Sequence, residues 1–401
     1  MRVAVWYNLP SGGAKKALYY QIKYLLERKH YVEVWCPSIA NRSFMSLADI
    51  VNENVSYIKW PSGSGKSPLG QINKYLNIGK KIKLLEEHTK EVAREINERK
   101  FDVLLAHGDQ YLASPSIARY VKIPSILYLQ EPNRQLYEAS LSGGQNSARK
   151  HKSMFGFLQN IFRSHGYQMK AKREFCNAVA FNRILVNSYY SRESVLRAYG
   201  IDPFVCYLGV DTGKFKPVCN SVLSKKIIGV GSITKSKNIE FIIKALSLIR
   251  GNNISLTWIG NFADEVYLKK IIAYAKSLSV DLRIMVDLAE EELISEIGSS
   301  HLMVYSPRLE PFGFVTLEAN ACGIPVVAVA EGGVRETVRD GINGYLCSND
   351  PEDMAEKVQL LFEEANTYKS LCHNCRNYVE DNWTWNKSIN ELEKHLQLVT
   401  K

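Results

Sequence analysis

"HLMVYSPRLEPFGFVTLEANACGIPVVAVA", residues 301–330, reads as a strand, a turn, a helix and a second strand. "HLMVYSP" and "IPVVAVA" are short apolar runs bounded by turn residues, the pattern of strands buried on both faces. Between them Pro311 and Gly313 oppose any helix running through, and a helix restarts near Val315. A strand, helix and strand joined this tightly form the repeating unit of a parallel sheet. The stretch also sets one carboxylate, Glu310, before the breakers and another, Glu318, inside the restarted helix. A solvated surface does not need that arrangement.

The same alternation extends in both directions. "RVAVWYN", "VEVWCP", "FDVLLAHG", "IPSILYLQ" and "RILVNS" read as strands in the first half, with helices over "SGGAKKALYYQIKYLLERK" and "IGKKIKLLEEHTKEVAREINERK". The pattern restarts with "KKIIGVGSI", the helix "NIEFIIKALSLIR", "ISLTWIG", a helix from Asp264, "LRIMVD" and the helix "EEELISEIG". At 401 residues the chain exceeds one ordinary core. The fold expected is α/β: two Rossmann-like domains facing each other across a cleft. The first spans 1–208 and is joined by a C-terminal helix over 384–401, with Trp383 and Trp385 as anchors. The second spans 209–383.

Composition narrows the class. Hydrophobic residues make up 46% and charged residues 23%, as in a globular protein. No run of eighteen apolar residues occurs, so no transmembrane helix is expected. The opening "MRVAVWYNL" reads as a strand and not a signal peptide, which points to the cytoplasm. The 8 cysteines show no disulfide-scaffold spacing and suit a reducing compartment. Cys372 and Cys375 form a lone C-x-x-C in a polar helical stretch, which reads as structural and not as a zinc site.

The net charge of +10 is concentrated. Residues 134–183 carry Arg134, Arg149, Lys150, Lys152, Arg163, Lys170, Lys172, Arg173 and Arg183 against Glu138 and Glu174 only. Met154, Phe155, Phe157, Leu158, Ile161, Phe162, Tyr167 and Phe175 are interleaved with them. No nucleic-acid-binding motif accompanies the segment. Two readings stay open: peripheral contact with an anionic membrane, at the inner face of the plasma membrane, and a solvated helical hairpin packed on its own domain.

Three stretches are candidate phosphate sites. "PSGSGKSPLG" (61–70) ends like a triphosphate-binding loop, but Trp60 stands where that motif needs glycine, so a Gly/Ser loop is expected. Gly12 and Gly13 follow the first strand and open the first helix, where free N–H groups and the helix dipole attract anions. In "VGSITKSKN", Gly229 and Gly231 end a strand, Ser232 offers a hydroxyl, and Lys235 and Lys237 precede a helix. Two ammonium groups at a strand's carboxyl end suit a diphosphate. The opening stretch joins this group, because the N–H groups near Phe312, Gly313 and Phe314 begin a helix. A carboxylate accepts two hydroxyls side by side, which fits Glu310 and Glu318 to the diols of a hexose and a ribose.

At these residues the chain resembles the retaining glycosyltransferases of family 4, which have the GT-B fold. "EPFGFVTLEANACGIPVVAVAEGGVRETVRDGINGYL" matches the family's Glu-seven-residues-Glu signature and the Gly-Gly…Glu…Gly-x-Asn-Gly run after it. "ILVNSYYSRESVLRAYGI" and "GVDTGKFKP" are similar to the family's interdomain crossover. The resemblance implies a hexose moved from a nucleotide diphosphate sugar to a carbohydrate or lipid-linked acceptor, in cell-surface polysaccharide or glycolipid synthesis. Glu310 would meet the transferred sugar, the backbone at Phe312, Gly313 and Phe314 the sugar and phosphate, and Glu318 the ribose. Lys237 would meet the diphosphate, with Gly12 and Gly13 near it from the other domain. Front-face attack is implied, with the leaving phosphate as base, and neither a metal nor any cofactor beyond the donor is expected.

Two positions depart from the family. Ser232 stands where an arginine is usual, with Lys235 as a substitute, and Gln130 stands where a histidine commonly ends a strand near the reacting sugar. Gln130 and His107 remain candidates for the sugar or acceptor side. Two other classes stay in view: a sugar-nucleotide epimerase on the same scaffold, and a degenerate, non-catalytic binding protein.

Overall fold

The computed structural model describes residues 1–61, 68–138, 154–217, 225–249 and 254–401, with the side chains of 68–72 and 154–159 outside that description. Most of "PSGSGKSPLG", Cys219, and Arg149, Lys150 and Lys152 of the basic segment therefore lie outside the described residues, as do the side chains of Met154, Phe155, Phe157 and Leu158.

The chain forms two compact units. Unit 1 comprises Met1–Asn187, Ser191–Cys206 and Ile389–Lys401; unit 2 comprises Ser188–Tyr190 and Tyr207–Ser388.

Unit 1 begins with β1 (Arg2–Asn8), α1 (Gly13–Glu27), β2 (Tyr31–Pro37), β3 (Asn52–Ser56), α2 (Pro68–Glu98) and β4 (Val103–Asp109). It continues with β5 (Ser125–Tyr128), α3 (Arg134–Tyr137), α4 (Met154–Ala178), β6 (Arg183–Val186), α5 (Tyr189–Tyr199), whose first two residues belong to unit 2, and β7 (Phe204–Val205). The strands form one parallel sheet in the order β3-β2-β1-β4-β5-β6-β7. β1 and β2 are buried along nearly their whole length, as strands covered by helices on both faces must be. β3, with the sequence NENVS, is the half-exposed edge. Its polar residues hide it from a search for apolar runs. α2 starts ten residues before the "IGKKIKLLEE" run, at Pro68, a residue tolerated in a first turn because its missing N–H has no helical partner there.

α2 and α4 pack closely where glycine permits it. A Cβ on Gly166 would lie 2.5 Å from Ile78 Cδ1, and Tyr75 and Tyr167 meet edge to face at 6.1 Å.

Unit 2 contains β8 (Lys226–Val230), α6 (Ile239–Leu246), β9 (Ser255–Gly260), α7 (Glu265–Ser277), β10 (Asp281–Val286), α8 (Glu290–Gly298) and β11 (Leu302–Tyr305). Then follow α9 (Phe314–Ala321), β12 (Val326–Val329), α10 (Val334–Thr337), β13 (Gly344–Cys347), α11 (Pro351–Glu363), α12 (Ala365–Asn382) and α13 (Trp385–Thr400), which passes into unit 1 at Ile389. Its sheet is parallel in the order β10-β9-β8-β11-β12-β13. Trp258, Ile242, Ile243, Leu302, Val304 and Val327 form its core, all fully buried. Trp383 and Trp385 are buried at 6% and 1% exposure. Cys375 is buried and hydrogen-bonded to Asn320 and to the Asn343 carbonyl.

In both sheets the strand order reverses once, between β1 and β4 in unit 1 and between β8 and β11 in unit 2. Doubly wound sheets bind ligands outside the carboxyl ends of the strands at that reversal.

Candidate active site

In unit 2 the chain leaves β8 at Val230 and β11 at Tyr305, side by side. The turn after β8 is fixed by backbone pairing to β9: Gly231 N donates to Ile259 O at 2.8 Å and Ile233 N to Phe262 O at 2.7 Å. Trp258 Nε1 donates to Gly231 O at 2.8 Å. Residues Lys235–Lys237 make a 3₁₀ turn, and Asn238, in the left-handed region at φ 53°, starts α6. Lys237 folds back over Gly231, where a Cβ would lie 3.1 Å from its Cε. Glycine at 231 therefore leaves the groove in which the lysine stem lies.

The turn after β11 meets this one. Arg308 N donates to Ser236 O at 2.8 Å, and Leu309, at φ 55°, donates its N–H to Glu331 Oε1 at 2.7 Å. The next residue is Glu310, and its Oε2 lies 2.7 Å from Lys237 Nζ. Their side chains are 16% and 20% exposed, which keeps the ion pair at the edge of solvent. Two residues that the sequence marks from separate motifs thus meet at the reversal point of one sheet.

The backbone behind Glu310 is held by Gly332 and Gly333. A Cβ at 332 would lie 2.3 Å from Glu310 O, and one at 333 would lie 2.3 Å from Pro311 O. Gly333 N donates to Glu310 O at 2.8 Å. The Gly-Gly of the motif is required because two backbones touch there, and a methyl group at either position overlaps a carbonyl. Gly313, at φ 96°, caps α9 without a side-chain hydrogen bond, so the first N–H groups of α9 receive no cap from it. Phe312 is buried and packs on Phe314 and Trp383, which leaves its backbone as the part it can offer. Glu318 lies in α9 at 2% exposure.

α9 is braced from behind. Asn343 Nδ2 donates to Asn320 Oδ1 at 2.8 Å, Asn320 Nδ2 to Asn343 O at 2.9 Å, and Thr316 Oγ1 to Thr337 Oγ1 at 2.9 Å. Asn343 is the asparagine of the Gly-x-Asn-Gly run, and its position explains why an amide stands there.

Of the other marked residues in unit 2, Ser232 is half-buried and Lys235 is exposed. Ser232 stands in a row of hydroxyls, with Oγ 3.3 Å from Thr234 Oγ1 and that atom 3.0 Å from Ser236 Oγ. The sequence reading missed this row, although "SITKS" spells its period-two spacing. It also missed Glu336. That carboxylate accepts the N–H groups of Tyr189 and Tyr190 at 2.9 and 3.0 Å and the Tyr207 hydroxyl at 2.8 Å. Burial first, and the Glu336 hydrogen bond after it, push the Tyr207 hydroxyl well above its ordinary pKa.

Gly12, Gly13, His107 and Gln130 belong to unit 1. Gly12, at φ 132°, caps α1 with no side-chain hydrogen bond, and nothing lies within 4 Å of where its Cβ would be. Lys15 in the next turn is fully buried, with Nζ 3.9 Å from the Tyr7 ring centroid, and burial lowers its pKa to about 8. His107 is 1% exposed on β4, stacked on Tyr128 at 5.5 Å. Burial, with Lys15 adding to it, lowers its pKa to about 3, so the imidazole is neutral at physiological pH. Gln130 follows β5; its carbonyl accepts from Ser191 Oγ at 2.7 Å, and its Nε2 is buried without a hydrogen-bond partner among the described residues.

Residues 220–381 match the family model described as glycosyl transferases group 1. The chain is 27% identical over 208 residues to alpha-1,3/1,6-mannosyltransferase ALG2 of Homo sapiens, covering 45% of this chain and 50% of that protein. It is 28% identical over 248 residues to alpha-maltose-1-phosphate synthase of Mycobacterium tuberculosis, covering 55% and 64%. The chain thus spans about half the length of the curated relatives it matches. Among solved structures, Anabaena Alr3699/HepE in complex with UDP and glucose aligns with a TM-score of 0.73 at 17% identity, covering 99% of each chain. Sucrose-phosphate synthase from Thermosynechococcus elongatus aligns with a TM-score of 0.75 at 15% identity, also over 99% of each. These likenesses show the fold: two parallel, Rossmann-like sheets with flanking helices, of the GT-B type.

Proposed function

We propose that this chain, whose residues 220–381 match the glycosyl transferases group 1 family model, transfers a hexose from a nucleotide diphosphate sugar to a carbohydrate or lipid-linked acceptor. The observation that carries the reading is the Lys237–Glu310 pair at the reversal point of unit 2. A diphosphate bound there replaces the Glu310 carboxylate as the counter-ion of Lys237. Glu310 is then released to accept hydroxyls of the donor hexose. The uncapped start of α9 adds N–H groups for the phosphate oxygens, and the Ser232, Thr234 and Ser236 hydroxyls line the turn where the family carries an arginine. Glu318 takes the ribose, and Gly12 and Gly13 supply the second anion-seeking helix start.

The reaction we assign is retaining and metal-independent. The acceptor oxygen forms a bond to the anomeric carbon on the face from which the diphosphate leaves, and the acceptor proton passes to a leaving phosphate oxygen. Charge grows on that oxygen as the bond breaks, and Lys237 stabilises it more than it stabilises the ground state. Gln130 hydrogen-bonds a sugar hydroxyl in this scheme. The pathway we assign is cell-surface polysaccharide or glycolipid synthesis. The test is to incubate purified protein with labelled UDP, GDP and ADP hexoses. Turnover with one donor, reduced about 10²-fold or more in Lys237→Ala and Glu310→Gln, supports the assignment. Unchanged turnover in both variants contradicts it.

We also propose peripheral contact with an anionic membrane. Ile161, His165, Gln168, Lys172 and Phe175 recur at helical spacing on α4, Val179 follows just past its end, and all are exposed, so apolar side chains and the Lys172 ammonium share one stripe. Among the described residues no helix is long and apolar enough to cross a membrane. Sedimentation with phosphatidylserine vesicles, weakened in a Lys172→Glu/Phe175→Ser variant, is the expected result.

A further inference from the structure

The carboxyl edge of unit 2 continues past the phosphate turn. Beside it runs the turn after β9, Gly260–Ala263, and the two are zipped together along their backbones. In addition to the Gly231 and Ile233 donations already described, Asp264 N donates to Ile233 O at 3.0 Å, and Ile233 bridges to Ala263. The approach is so close that a Cβ on Gly260 would lie 2.8 Å from Gly231 O. The turn after β10 is tied on in the same way, with Asp287, at φ 58°, donating to Gly260 O at 2.8 Å.

Apolar side chains along this edge point into the core: Trp258, Ile233 and Ile239 are fully buried and Ile259 is 4% exposed. Val286 at the end of β10, 45% exposed, and Val266 in the first turn of α7, 82% exposed, are exceptions, and so is Phe262, the one aromatic among them. Its carbonyl is used by Ile233, yet its side chain is 57% exposed. The backbone ties account for where the residue sits but not for an aromatic ring held in water. A small or polar residue would make the same backbone bonds without leaving that much apolar surface wet.

The position gives the ring a use. Lys237 lies against Gly231, and Phe262 is anchored to Ile233, two residues further along the same turn. Adjacent strands are about 4.8 Å apart, so the exit of β9 is one strand spacing from the exit of β8, a gap that a ribose spans. Glu310 lies on the β11 side of the phosphate turn and Phe262 on the β9 side. We infer that Phe262 is the stacking platform for the nucleobase of the donor, so that the sugar is held on one side of the diphosphate and the base on the other. Every base has a flat π face, and stacking on an aromatic side chain is sequence-tolerant. Phe262 therefore contributes affinity for the nucleoside, and the exposed Asn261 beside it offers the polar edge that distinguishes one base from another.

The inference rests on the donor being a nucleotide sugar, and the experiment separates the two. UDP, GDP, ADP and inorganic pyrophosphate are titrated calorimetrically into wild type, Phe262→Ala and Phe262→Trp. The expected result is that the nucleotide bound best by wild type is weakened about tenfold or more by Phe262→Ala and kept by Phe262→Trp, with pyrophosphate affinity unchanged in both. Nucleotide affinity unaltered in Phe262→Ala overturns the stacking role, as does an equal loss for pyrophosphate, which would place the effect in the turn and not in the ring. If wild type binds none of the nucleotides, the transferase reading itself falls and the inference falls with it. Because the ring is exposed, both variants are expected to fold.

Discussion

Lys237 and Glu310, 73 residues apart in the chain, close an ion pair of 2.7 Å between the turns that leave β8 and β11. Each is four-fifths buried or more, so each contributes to the other's solvation. Removing either one alone takes that charged partner from the other, whereas removing both leaves neither charge. A double-mutant cycle with Lys237→Ala and Glu310→Ala, read by chemical denaturation, is expected to give a coupling of about 0.5–3 kcal/mol. Strictly additive losses would show that the pair carries no structural energy.

Gly333 is where the second backbone rests on the Glu310 turn. A methyl group there meets Pro311 O at 2.3 Å, and neither partner is a flexible side chain. Gly333→Ala is expected to destabilise unit 2 by about 1–3 kcal/mol, as overpacking does, and to weaken pyrophosphate binding by displacing the Phe312–Phe314 backbone at the start of α9. Wild-type stability together with wild-type binding would refute the close-approach account of the Gly-Gly motif.

Glu336 gathers three donors, two of them backbone N–H groups. Glu336→Ala leaves the Tyr189 and Tyr190 N–H groups without this acceptor, a loss of about 1–3 kcal/mol for charge-assisted bonds. Faster amide exchange at Tyr189 and Tyr190 is the specific readout. Unchanged protection at both would contradict the role.

His107 and His88 make unit 1 sensitive to acid. Burial lowers their pKa values from 6.5 to about 3 and about 4. A histidine with a depressed folded pKa binds its proton more tightly when unfolded. Stability is therefore complete above about pH 6.5 and is lost as pH falls toward those values. The urea midpoint is expected to drop between pH 7 and 4.5, and to drop less in His107→Leu, which has nothing to titrate. An equal drop in both proteins would assign the acid loss elsewhere.

The fold was legible because buried parallel strands are continuous apolar runs. "VAVWY", "VLLA" and "LMVY" have no polar interruption, and the glycine and proline signals punctuate them. β3 was not legible, since NENVS at a sheet edge has only Val55 to mark it. Glu310 and Lys237 were legible separately, each as a charge beside a strand end and a helix start. Their meeting was not, because it depends on which strands become neighbours. The Ser232–Thr234–Ser236 row and the three donors on Glu336 failed for the same reason: the first depends on a turn conformation, and the second on residues 146 and 147 positions away. His107 shows the converse case, a residue marked for chemistry that the sheet buries against Tyr128.

The central claim is that a diphosphate takes Lys237 and frees Glu310 for the sugar. Calorimetric titration of wild type, Lys237→Ala and Glu310→Gln with a nucleoside diphosphate and with its hexose conjugate tests it directly. The account predicts that Lys237→Ala weakens both ligands together. Glu310→Gln, by contrast, should bind the diphosphate at least as well as wild type and lose only the added affinity of the hexose. Equal losses for both ligands in Glu310→Gln, or full diphosphate affinity in Lys237→Ala, would contradict it.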